Sequence, residues 1–202
     1  NFTEVMYLLL QGELPTQEQF GQFQKNINKY NYVAEEMKKI IDAFPRSAHP
    51  MGVLSTLTSA LTAFNPKAVN VKSKEDLDHA AEMLIAKFSH LCAWTYRKTL
   101  GLPINHGDNS LNYVENFYKM TFRMPNQEFE LDPVVVDALD KILILHADHE
   151  QNCSTSTVRM VGSAQTGLFA SISAGVSALW GPLHGGANQA VIEMLEHIEQ
   201  DG

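Results

Sequence analysis

HADHEQN (His146–Asn152) and GPLHGGAN (Gly181–Asn188) carry the most specific pattern in the chain. The first sets two histidines three residues apart, beside Asp148 and Glu150. The second places a single histidine among glycines at the mouth of a predicted helix. Gly181-Pro182 forces a turn, and Gly185-Gly186 lets another group approach the backbone closely. An imidazole held against a tight backbone suits polar chemistry on a carbonyl compound. After His184 the sequence offers no general base and no cluster of arginines before it ends at Gly202.

Around these segments the chain reads as almost entirely helical. Phe2–Gln11 forms a helix stopped by Gly12. Thr16 caps the next, with Gln19 at the reciprocal position of a capping box. Tyr30–Phe44 carries Val33, Met37, Ile40, Ile41 and Phe44 as a helical stripe ending at Pro45. Met51–Phe64 follows, then a polar loop from Asn65 in which Val69–Val71 is the one candidate for a short strand. Ser73 caps a long helix that runs from Lys74 to Leu100 and ends at Gly101. Ser110–Phe122 is helical. Asp132-Pro133 opens a helix that runs into HADHE and sets Leu139, Ile142, His146 and His149 on one face. Gln151–Val161 and the Ala/Ser/Gly-rich Leu168–Trp180 follow. Asn188–Glu199 closes the chain as an amphipathic helix with Val191, Leu195 and Ile198 turned inward.

A chain of 202 residues makes one domain with a real core and is too short for two large ones. The net charge of -8, with no long run of one sign, argues against nucleic acid as a partner. No apolar run is long enough to cross a bilayer. Cys92 and Cys153 are far apart and in no metal or redox spacing, which points to a reduced, cytoplasmic setting. Asn1 is not a natural start, and both ends read as cut.

Three roles fit His146 and His149: hydrogen-bonded structural histidines, two ligands of a metal that lacks a third, or donors to a carboxylate or carbonyl. For His184, two roles compete. It is either a capping histidine in a glycine turn or a neutral donor beside the positive end of the next helix. That end disfavours imidazolium, so the ring can donate to a carbonyl oxygen becoming an enolate, as in triosephosphate isomerase. His49, between Pro45 and Pro50, reads as structural.

HADHEQNCSTSTVR, then VGSA, then GPLHGGANQAVIEML, resembles citrate synthase in its bacterial form. LLLQGELPT and FPRSAHPM are similar to that family as well, and the match runs along essentially the whole chain. The resemblance implies an all-α, multihelical citrate-synthase-like fold. The large domain (residues 1–183, N-terminally truncated) would be followed by the start of a small domain (residues 184–202, truncated). The implied activity condenses acetyl-CoA with oxaloacetate and hydrolyses citryl-CoA. It needs no cofactor and no metal, acetyl-CoA being a substrate. His184 would stabilise the enol or enolate of acetyl-CoA and is the one implied catalytic residue present. His149 would bind oxaloacetate, with His146 in the same motif. Leu183, Gly185 and Asn188 would border the thioester. The family's second catalytic histidine, its catalytic aspartate and its carboxylate-binding arginines have no counterpart here.

The chain alone is therefore expected to be inactive, and the parent is expected to be a homo-oligomer, dimer or hexamer. Some bacterial members are hexamers inhibited by NADH. Where they carry a tyrosine and an arginine this chain has Asn65 and Met83, while Lys87 is kept, so strong NADH inhibition is not expected. Within the family, 2-methylcitrate synthase differs by one methyl group in the acyl pocket. From outside it, the alternative is a non-catalytic helical module for assembly or metal binding.

Overall fold

The computed structural model describes residues 1–66, 69 and 72–201. Among the described residues there are ten α-helices and no strand. They are α1 (Phe2–Gln11), α2 (Gln17–Lys29), α3 (Glu36–Asp42), α4 (Pro50–Phe64) and α5 (Lys74–Leu100). After them come α6 (Tyr113–Phe122), α7 (Pro133–Leu145), α8 (Cys153–Gly162), α9 (Leu168–Leu179) and α10 (Gly186–Asp201). Val69 lies in a turn, and the rest of the candidate strand, Asn70 and Val71, falls outside the described residues.

Local chemistry sets most helix ends where the sequence places them. Thr16 and Ser73 close capping boxes with Gln19 and Asp76, and Asn112 does so with Glu115. Asp132 accepts from the amides of Val134 and Val135, with Pro133 in the first turn. Gly12 and Gly101 end α1 and α5 in the left-handed region, at φ +86° and +68°, where a Cβ would be strained.

The core gathers on α5. Met37, Ile41, Leu57, Leu61, Leu91, Trp94 and Phe169 join α3, α4, α5 and α9 in one buried cluster. Met6, Phe23, Ile27 and Ala86 tie α1 and α2 to the same long helix. Each of the large aliphatic and phenylalanine side chains among them contributes about 1.5–3 kcal/mol on burial. α9 lies against both α4 and α8, and its small residues permit this. Ser171, Ser173 and Gly175 are buried. A Cβ on Gly175 would stand 2.6 Å from Val158 Cγ2 of α8. On the α4 side, Ser173 Oγ donates to Ser55 O at 2.8 Å, and Ser55 Oγ donates to Ser173 O at 3.1 Å.

Three expected helices differ from those observed. Tyr30–Phe44 is not continuous: Tyr30 caps α2, residues 31–35 are irregular, and α3 is only seven residues long. Lys87 explains the break. Its ammonium, burial of which lowers its pKa, donates to the carbonyls of Tyr30 and Tyr32 and holds them out of a helical ladder. The helix into HADHE stops at Leu145. His146 Nδ1 donates to Ile142 O at 2.8 Å, Asp148 Oδ1 accepts from Glu150 N at 2.9 Å, and Glu150 takes φ +57°. These local bonds outcompete the next helical turn. α10 begins at Gly186 rather than Asn188 and has no buried residue. Val191, Leu195 and Ile198 are not inward but 49–58% exposed, because no described element packs on their stripe.

Two buried polar side chains pin the far end of α5. Arg97, 0% exposed, donates to the carbonyls of Pro103, Thr121 and Arg123, joining α5 to the following loop and to the end of α6. His90, 2% exposed, bonds Ala86 O through Nδ1 at 3.1 Å. Burial pushes its pKa down to about 4, with the charges of Lys87 and His106 acting in the same direction.

His90 is thus neutral in the fold, while the unfolded chain takes up a proton near the ordinary histidine value of 6.5. Stability is full above that value and falls as pH drops toward about 4. Denaturant unfolding should show a loss of about 2 kcal/mol between pH 7 and pH 5 from this group. His90→Gln should be less stable at pH 7 and should lack that share of the pH dependence.

Candidate functional site

α8 is the bridge that brings the two histidine motifs together. Asn152 ends HADHEQN and caps α8, its side chain accepting from Thr155 N at 2.9 Å. Thr155 Oγ1 donates back to Glu150 O at 3.3 Å, folding the motif over the helix start. Two residues past the cap, Ser154 faces α9. Its Oγ stands 2.9 Å from Gly175 O and 2.8 Å from His184 Nε2. Gly175 allows this approach, since α8 could not come so near a larger residue.

His184 rides on a turn wound onto the end of α9. The amides of His184 and Gly185 both donate to Gly181 O, at 2.9 and 3.0 Å. A Cβ on Gly185 would fall 2.1 Å from Leu179 O, so the turn closes only with glycine there. The ring of His184 is half-buried, with one nitrogen fixed on Ser154. α10 starts two residues later, so its first turn follows directly on the turn that carries His184.

The serine hydroxyl has one hydrogen and two acceptors, so its orientation sets the histidine tautomer. Donating to Gly175 O, it accepts from Nε2–H and leaves Nδ1 without a proton. Donating to Nε2, it leaves the proton on Nδ1, free to be given to another acceptor. The sequence reading missed Ser154. The signal available was its position two residues after an asparagine cap, in the first turn of a helix that leads out of a histidine motif.

His146 and His149 meet edge to face with ring centroids 5.8 Å apart, both exposed. His146 spends Nδ1 on Ile142 O, which leaves Nε2 outward as an acceptor when the ring is neutral. Among the described residues no group of three or more His, Cys, Asp or Glu side chains is placed to hold a metal ion. Leu183 projects fully into solvent beside His184. Asn188 is exposed on the first turn of α10, its amide donating to Gly185 O at 3.3 Å. A 460 Å³ cavity between α1, α2 and α7 contains no residue of either motif. No described helix is long and apolar enough to cross a membrane.

Relatives share this arrangement of helices. Citrate synthase 1 of Mycobacterium tuberculosis is 51% identical over 201 residues, which is 100% of this chain and 47% of that protein. The crystal structure of citrate synthase from Pyrobaculum aerophilum matches 98% of this chain and 50% of its own, with a TM-score of 0.85 and 32% identity. A citrate synthase from Thermoplasma acidophilum, solved as a ternary complex with carboxymethyl coenzyme A and oxaloacetate, matches the same shares with a TM-score of 0.87 and 26% identity. The chain spans about half the length of each of these relatives. The family model for the citrate synthase C-terminal domain matches residues 1–202. With the whole sequence matched and the helical frame shared, the chain belongs to the citrate synthase family.

Proposed function

We propose that the protein carrying this segment condenses acetyl-CoA with oxaloacetate and hydrolyses the resulting thioester to citrate and CoA. His184 is its enolate-stabilising donor. The observation that carries this is the Ser154 Oγ contact 2.8 Å from Nε2, which anchors one nitrogen of a half-buried imidazole and leaves Nδ1 to face a ligand. With the serine hydrogen turned to Nε2, the neutral ring donates from Nδ1 to the thioester oxygen as negative charge builds there. Fixed donors of this kind lower the barrier because they need no reorganisation. His149 receives oxaloacetate, an exposed imidazole N–H being suited to carboxylate and keto oxygens, and His146 packs edge to face against it in the same motif. Leu183, Gly185 and Asn188 border the acyl thioester. The relative crystallised with a CoA analogue and oxaloacetate supports this choice of substrates.

The large domain ends at Leu183 and the small one begins at His184, so the donor sits on the seam. The protein works as a cytoplasmic homo-oligomer. Strong NADH inhibition is absent, a reading supported by Asn65 and Met83 at the positions where inhibited relatives carry a tyrosine and an arginine. Low-micromolar inhibition of the full-length protein by NADH, relieved by salt, would contradict this.

Acetyl-CoA is a weak carbon acid, and its enolate needs a base at the methyl group as well as a donor at the oxygen. These 202 residues supply only the donor. Free-thiol release from acetyl-CoA plus oxaloacetate should be undetectable with the chain alone and rapid with the full-length protein. Turnover by the chain at the full-length rate would refute this division. Offered both thioesters, the full-length protein should prefer acetyl-CoA. The difference of one methylene is worth about 1–3 kcal/mol, and a reversed preference would assign 2-methylcitrate synthesis instead. Ser154→Ala in the full-length protein should lower kcat about 10- to 100-fold with little change in the oxaloacetate KM, because the ring loses its anchor.

A further inference from the structure

Trp180 is the residue on which α9 ends, and it leads directly into the turn that carries His184. Its amide donates to Val176 O at 3.1 Å, and the next amide, of Gly181, donates to Ala178 O at 3.1 Å. Gly181 O then takes the His184 and Gly185 amides. The orientation of peptide 180–181 therefore sets the pitch of everything up to His184. Backbone bonds alone leave this end free to fray, since Trp180 is followed by a glycine and a proline.

The indole supplies the missing restraint. It reaches across to α4, where its six-membered ring lies 3.3 Å from the position a Cβ would occupy on Gly52. The imidazole of His49 stacks on it, centroids 5.0 Å apart and planes at 30°. His49 is itself fixed: it is the N-cap of α4, its Nδ1 accepting from Met51 N at 3.2 Å. The indole is thus held between the ring of a cap residue and the backbone of the first helical turn. Both partners belong to α4, which is anchored in the core through Leu57 and Leu61.

The geometry points to His49 and Trp180 as positioning residues for His184: their stacked rings lock the end of α9 to the start of α4 and so fix the turn that presents the catalytic imidazole. The inference rests on the role proposed for His184. The clamp itself is a property of the turn and can be read without turnover. Ser154 holds the ring of His184 from one side, and the clamp holds its backbone from the other. Neither residue belongs to the two histidine motifs proposed to meet substrate, so their loss should appear in kcat rather than in the oxaloacetate KM.

Three variants in the full-length protein separate the clamp from general stability. His49→Asn keeps a good N-cap and removes the ring face. Trp180→Leu removes the indole, and Trp180→Phe keeps an aromatic face. Amide hydrogen exchange is measured on peptides covering residues 181–186 and 50–64, alongside thiol-release kinetics. His49→Asn and Trp180→Leu should speed exchange at residues 184 and 185 about tenfold or more while α4 stays protected. Both should lower kcat about 10-fold at unchanged KM, and Trp180→Phe should recover most of the loss. Unchanged exchange at residues 184 and 185 in both variants would overturn the clamp. So would exchange rising equally along α4, which would mark mere destabilisation. If exchange accelerates as expected but the wild-type protein forms no citrate, the clamp stands and the catalytic role of His184 falls.

Discussion

The close seating of α8 on α9 is the constraint from which the site follows. It depends on Gly175, because any side chain there would run into Val158. Only at this spacing does one hydroxyl, that of Ser154, reach both a carbonyl of α9 and the imidazole of His184. The serine face of the same helix brings α4 equally near on its other side. A helix built from alanine, serine and glycine gives up side-chain burial, and in exchange its neighbours come within hydrogen-bonding range. The rigid part of the site is therefore made of backbone contacts, which tolerate little displacement.

Much of this was legible in the sequence where a single residue type dictates a local conformation. Thr16, Ser73 and Asp132 as caps, and Gly12 and Gly101 as stops, act through bonds within a few residues. The reading failed where a distant group decides. Lys87 breaks the helix expected at Tyr30 from 57 residues away, and periodicity holds no trace of it. The end of α7 has a subtler cause. His146 and Asp148 each offer the backbone a local bond, and together they turn a strip of histidines expected on one helical face into a loop. Ser154 passed unnoticed because its role exists only once α8 and α9 are packed.

Two helices carry apolar faces without a described partner. Val191, Leu195 and Ile198 on α10 keep an amphipathic spacing with nothing described against them. The same holds for Val134, Ile142 and Leu145 on α7. Relatives of about twice the length share the helical frame seen here.

Arg97 gives the far end of the molecule a different character from its histidine corner. A guanidinium keeps its proton at any pH a protein survives. Here it is shared among three carbonyl dipoles rather than set against a carboxylate. No acid titration can discharge such a joint, and dissolved ions, excluded from a fully enclosed group, cannot dilute it. In mild acid the Arg97 joint should therefore hold while the buried His90, seven residues earlier on the same helix, loses its contribution.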